Sequence, residues 1–474
     1  MNYVLLIALL SPFVGAALIG ALDRFVSRRV VVLASLSLSL TSLAVARTHA
    51  RVAGWSPDRL GLFLAVASLF IGLCVCHYAV RQFAGENRGR TFLAMALAIV
   101  GCVVSTDLSN AVWSLYVSWS ATSIVTVLVL GVGGGARAHS ALWRRAARSF
   151  VIGDVTLLIA FTSASAYSSG LSVFSSSNGH SHSVASVIVV TAAMVAAVAR
   201  AGLTVRRSWV IDTVNAPTPV SALLHAGVVN AGALLIYRIQ DVAGRSTALD
   251  LVLVTTCLAV LVILAPRIHA RVDLKGQLAA STVAQMSLML AALALGYPLL
   301  AFTHAVGHGL YKAGRFMSAG GAIDQRARLR RRRPSGTVVT LPWRTLGATT
   351  IVVVAATWGM IVGGDAPALM GVFGPAAVVV WWTRSATALR SVAAVWSGLI
   401  LALLVYGALV AGLSQLVALD HGAAQWRAPW WSLGALVVTV VAANRWLHPN
   451  DGRRGDVDDS SVVRSSRDRI AVPS

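Results

Sequence analysis

Lysine and glutamate are almost missing from this chain. Of its 474 residues two are lysine, Lys275 and Lys312, and one is glutamate, Glu86. Charged residues together make up 12%, against about 25% in soluble domains, which argues against a soluble globular protein. Cysteine is scarce as well: Cys74, Cys76, Cys102 and Cys257 all lie in apolar runs. There is no C-x-x-C, and Cys74 and Cys76 fall on different helix faces. They read as small buried apolar residues, and no iron–sulfur, haem or zinc signature is present. No P-loop and no glycine-rich turn between a strand and a helix occurs, and Gly133–Gly135 reads as a flexible loop, so no nucleotide and no other cofactor is expected.

What is abundant is apolar sequence. Hydrophobic residues are 57% of the chain, and apolar runs of about 20 residues recur from end to end. The expected fold class is all-α, a polytopic integral membrane protein. A β-barrel is disfavoured because the runs are continuous rather than alternating. The first run, Tyr3–Leu22, lacks a charged leader and a small-residue cleavage site, so it reads as a helix. The net charge of +22 would suggest nucleic acid in a soluble protein. Here arginines gathered in loops on one side of a bilayer account for it, and no nucleic-acid partner is expected.

Apolar segments fall near 3–22, 30–46, 60–80, 91–106, 110–132, 150–168, 184–200, 217–237, 250–267, 276–296, 299–320, 341–363, 367–383, 391–416 and 431–447. The expectation is thirteen to fifteen transmembrane helices. Arginines follow the odd-numbered segments, as at Arg28, Arg88, Arg145, Arg207, Arg271 and Arg326 through Arg333. That places the N-terminus outside and the C-terminus in the cytoplasm of a bacterial plasma membrane, with Arg47, Arg51 and Arg59 the main exception. Residues 1–90 read as N-terminal helices, 91–240 and 241–400 as two repeats (the second diverging after 322), 401–447 as C-terminal helices, and 448–474 as a disordered tail. Two interruptions stand out. Val205–Ala216, followed by Pro217-Thr218-Pro219, breaks an apolar stretch, and Gly374–Pro375 is a second candidate. Proline removes an amide donor, and the freed carbonyls must face protein or water. Paired broken helices are a mark of ion sites in inverted-repeat transporters, although an ordinary kink is the alternative at both places.

His304, His308 and Lys312 step by four. On a helix they lie within about 80° of one another along about 12 Å of one face. An imidazole titrates near pH ~6.5, and an ammonium can release its proton where a guanidinium cannot. Titratable groups in file inside an apolar helix point to a proton path. Interhelical hydrogen bonding by the histidines, with Lys312 snorkelling, is the alternative.

Asn215–Arg238, NAPTPVSALLHAGVVNAGALLIYR, resembles the proton-conducting membrane subunits of respiratory complex I and Mrp-type antiporters. LKGQLAASTVAQMSLM and HAVGHGLYKAGRFMSAG are similar to later blocks of the same superfamily. The stretch HAGVVNAG, with Trp119–Ser123, Ala147–Phe150 and Gly153-Asp154, resembles the membrane subunit of DAB-type inorganic-carbon transporters. The resemblance implies antiporter-like inverted repeats and a membrane subunit that conducts a cation, H⁺ for preference. Its expected partner is a soluble zinc protein similar to β-carbonic anhydrases (the DabA type), which would convert CO2 to bicarbonate.

The resemblance carries His304, His308 and Lys312 onto the second ion-path block, and His225 onto a histidine beyond the broken helix. Arg200 falls where complex I relatives carry a lysine, and Ser120 follows Trp119 where they carry a glutamate. Asp154 is an acid inside an apolar segment that pairs with Arg148 or supplies the missing carboxylate. Asp212 aligns with an acid before the PTP motif and has Arg206 and Arg207 as candidate partners. Lys275, with Asp273, opens a helix, either as part of the path or as an interfacial anchor. Two other readings remain: a proton-translocating subunit of an NADH–quinone oxidoreductase or Mrp antiporter, and a non-conducting scaffold whose Arg326–Arg333 run docks a partner or membrane lipid.

Overall fold

The structure is a computed structural model and describes residues 2–22, 27–46, 50–86, 88–132, 137–167, 184–203, 208–269 and 273–319. The last four apolar segments, Gly374–Pro375, Arg326–Arg333 and the tail lie outside the described residues. Those described are helical, with isolated bridges joining Trp55 to Val52 and to Ser109.

The elements are α1 (Asn2–Leu22), α2 (Arg28–Val45), α3 (Arg59–Gln82), α4 (Gly89–Asp107), α5 (Val112–Val132), α6 (Arg137–Tyr167) and α7 (Val184–Arg200). The short α8 (Trp209–Asp212) follows, then α9 (Thr218–Ala226), α10 (Ala231–Ala243), α11 (Thr247–His269), α12 (Leu274–Ala294) and α13 (Pro298–Ser318). Eight spans among the described residues are long and apolar enough to cross a membrane, one of them formed by α9 and α10 together. All eleven apolar segments that fall on described residues are helical. The largest boundary difference is at α6, which starts at Arg137 rather than near residue 150. Its 31 residues extend about 46 Å, longer than the ~30 Å hydrocarbon core. A helix satisfies its own backbone, so it runs on past its apolar part into the Arg144–Arg148 turn.

The helices pack mainly as neighbours: α1 on α2 and α4, α5 between α4 and α6, α7 between α6 and α10, and α13 against α12, α9 and α3. Small residues set the closest approaches, as is common between helices in lipid. A Cβ at Gly153 of α6 would lie 3.1 Å from Ala196 Cα, and one at Gly232 of α10 would lie 3.1 Å from Ala197 Cβ. The alanine face of α7 is thereby held between two other backbones, one turn before Arg200.

The chain breaks twice between α7 and α10. The first break is the polar stretch expected from the sequence. α7 ends in a Schellman turn: Leu203 N–H reaches Val198 O at 3.0 Å, Gly202 N–H reaches Ala199 O at 3.2 Å, and Gly202 has φ +67°. Ala199 O also accepts from Ser149 Oγ at 2.9 Å and Trp209 Nε1 at 3.1 Å, so a helix end inside the bundle keeps its carbonyl satisfied. The second break divides the expected single segment 217–237. At Gly227 the backbone leaves the helix (φ −122°, ψ −65°), a 3-10 turn covers Val228–Asn230, and α10 starts at Ala231.

Candidate functional site

Lys312 sits on α13 with no exposure. Its Nζ donates to Leu278 O at 2.7 Å and to Ser281 Oγ at 2.5 Å, both on α12. One turn back, His308 is buried, and neither ring nitrogen has a protein partner among the described residues. Another turn back is His304, whose ring lies 6.0 Å from that of His308 at an interplanar angle of 18°. His304 Nε2 is also buried without a protein partner. The three groups therefore stand in file, and the unpaired nitrogens between them can each take or give a proton.

His225 joins this file from α9. It is fully buried, its ring stacks on Phe316 of α13 at 4.6 Å, and it interacts electrostatically with Lys312 and His308. Nε2 is 2.7 Å from Thr213 Oγ1, and that hydroxyl is 2.6 Å from Val210 O. A hydroxyl has one proton. When Thr213 donates to Val210, His225 must donate from Nε2, which leaves Nδ1 as a buried acceptor without a protein partner among the described residues. Close packing brings α9 and α13 together here: a Cβ at Gly309 would meet Ala226 O at 2.6 Å.

Lys275 is tied to the first break. Its Nζ donates to Ala216 O at 2.8 Å and to Val214 O at 3.4 Å, and Asp273 caps α12 through Gly276 N at 2.6 Å. It is half-buried and meets backbone carbonyls of the first break, a contact that either the path or the anchor reading allows. Asp212 pairs with Arg145 of α6. Its suggested partners Arg206 and Arg207 lie outside the described residues, and nothing in the sequence spacing pointed to a partner 67 positions away.

Arg200 and Asp154 form a separate buried cluster. Arg200 is 1% exposed and donates from Nη2 to Trp119 O at 3.0 Å and Ser123 Oγ at 2.6 Å. Its guanidinium stacks 3.9 Å from the Trp119 ring centroid and 4.9 Å from that of Phe150. Asp154 Oδ1 accepts from Trp119 Nε1 at 2.8 Å and lies 3.8 Å from Arg200 Nη2. The carboxylate thus faces Arg200 rather than Arg148. Arg200 is the last residue of α7, and its side chain turns into the bundle rather than out of it. A buried guanidinium thus stands beside a carboxylate.

Residues 109–401, more than half of the chain and the whole of this site, match the family described as NADH:quinone oxidoreductase/Mrp antiporter, TM. The chain belongs to that family. Among curated relatives of this family member, a "Probable inorganic carbon transporter subunit DabB" of Bacillus anthracis is 28% identical over 347 residues, covering 72% of this chain and 67% of the relative. The protein of the same name in Bacillus subtilis (strain 168) is 27% identical over 294 residues, covering 61% of this chain and 58% of the relative. The chain therefore spans only part of the length of these relatives. A chain in the solved structure of the Mrp complex from Dietzia sp. DQ12-45-1b superposes with a TM-score of 0.67 at 21% identity, over 98% of this chain and 59% of that one. That likeness concerns the fold.

Sequence reading missed Ser281, Ser123, Thr213 and Asn230. Ser281 and Ser123 are ordinary hydroxyl residues on apolar helices and Thr213 lies in the 3-10 turn of the first break, and only three-dimensional packing gives them partners. Asn230 sits within HAGVVNAG, the stretch that separates this chain from the complex I pattern. Its Nδ2 donates to Ala226 O at 2.8 Å and to Ala305 O at 3.2 Å, so it bridges the second break to α13.

Proposed function

We propose that this chain is the membrane subunit of an inorganic-carbon transporter and carries H⁺ through His304, His308, Lys312 and His225. The observation that carries the proposal is Lys312, buried without exposure and bonded only to neutral groups among the described residues, with unpaired imidazoles one and two turns away. Lys275 and Asp212 hold the ends of the broken stretch, and Arg200 with Asp154 supplies a fixed buried charge pair. The names of the relatives from Bacillus anthracis and Bacillus subtilis support the inorganic-carbon role. In this reading the partner is a soluble zinc-binding subunit of the carbonic-anhydrase-like kind. The complex lies in a bacterial plasma membrane, with the Arg145 side of the bundle in the cytoplasm.

The family also includes NADH:quinone oxidoreductase and Mrp antiporter subunits. The second reading, translocation within such a complex, would use the same relay but a different partner. Affinity purification in mild detergent separates the two: a soluble zinc protein supports the first, quinone-reductase or antiporter subunits the second. The relay is tested by bicarbonate accumulation in cells expressing the chain with its partner. Lys312→Met, and His304→Ala combined with His308→Ala, should each abolish accumulation at unchanged membrane levels. Full accumulation in both would sink the relay.

A further inference from the structure

A cavity lies beside the relay, between α3, α4, the second helix break and α13. It offers about 30 Å³ to the centres of water molecules, room for about two waters. Its polar lining comes from Ser68, Asp107, Gly227 and Asn230, and Ala305 of α13 closes it. Asp107 is 5% exposed, and its Oδ2 accepts from Ser68 Oγ at 2.9 Å. Behind it Arg238 bonds the Asp107 backbone carbonyl at 3.2 Å and the Asp58 carboxylate at 2.7 Å. Both Asn230 amide bonds run from Nδ2, so Oδ1 is left as an acceptor, buried without a protein partner among the described residues.

We propose that this cavity binds one small monovalent cation, Na⁺, between Asp107, Ser68 and Asn230. The donor set is oxygen only, a carboxylate, a hydroxyl and an amide, which suits a hard cation. One carboxylate matches a single positive charge. Unwound backbone at a broken helix is where transporters place such ions, and the Gly227 break forms one wall. The site lies toward the Arg238 end of the α9–α10 span. Pro217 and the Lys275 contacts are at the other end, and the ~20 intervening residues rise about 30 Å. Its use as the cation's port on that side rests on the conduction reading above; its existence does not.

The test labels the purified full-length chain in lipid nanodiscs with dicyclohexylcarbodiimide, which attacks protonated carboxyl groups in apolar surroundings, and reads the modified peptide by mass spectrometry. Asp107 should be labelled at acid pH and not in Asp107→Asn. Protection by NaCl at constant pH, with choline chloride inactive, supports the site; loss of labelling at raised pH alone is what any carboxyl would show and does not. Ser68→Ala should weaken protection by about tenfold, as should Asn230→Ala. An Asp107 that stays unlabelled at every pH, or is labelled without protection by NaCl, overturns the proposal. Labelling needs no transport, so a protected site in a chain that does not conduct would leave the site standing and remove the conduction reading.

Discussion

Lys312 and Arg200 are both buried cations, but their surroundings differ. Lys312 meets a carbonyl and a hydroxyl, so the neutral amine left by loss of its proton can still donate to both, and no ion pair among the described residues is broken. Arg200 lies between two aromatic rings, a hydroxyl, a carbonyl and Asp154. A guanidinium does not release its proton in proteins, so its part is structural and electrostatic. Asp154→Ala would leave that guanidinium buried beside a lost partner. It should lower the chain's stability in detergent by about 3 kcal/mol, read as an earlier unfolding midpoint. An unchanged midpoint would mean the pair contributes nothing. The chemical difference between the two cations was legible in the sequence, because a chain so poor in lysine shows its ammoniums plainly. Their partners were not, since Trp119 and Ser123 lie 81 and 77 positions from Arg200 and only packing joins them.

At the level of elements, the broken helix and its second interruption organise the site. The first break was legible because two prolines and a polar run lie inside apolar sequence. The second was not, because Gly227 and Asn230 interrupt no apolar pattern and act through backbone angles and one side-chain bridge. Asn230→Leu keeps the size but removes both donors, leaving Ala226 O and Ala305 O short of partners. The expected loss is about 1–3 kcal/mol, measured by thermal unfolding, with wild-type stability the contrary result. Gly309→Val tests the same contact from α13. With a Cβ only 2.6 Å from Ala226 O, the helices must separate. Proton flux in proteoliposomes should fall even though His308 and Lys312 remain. Unaltered flux would show that the α9–α13 approach does not hold the relay together.

At the scale of the molecule, the described residues form a bundle with apolar residues on its outside: Leu10, Phe70, Val117, Ile124, Val151 and Ile159 are between 47% and 59% exposed, as suits lipid. The membrane character and the helix order could be read from composition and run length, because burial in lipid acts on every residue of a span. Sidedness rests on the arginine loops. Ser246→Cys should react with an impermeant maleimide in intact cells, and Gly85→Cys only after permeabilisation; the reverse pattern would invert the topology. Whether the bundle moves protons through a titrating lysine is tested most directly by Lys312→Arg in the assembled complex. This variant keeps the positive charge and removes the ability to release a proton. Expressed with its partner at wild-type membrane levels, it should lose bicarbonate accumulation as completely as Lys312→Met. Accumulation equal to the wild type would contradict the account, because a fixed charge at position 312 would then suffice.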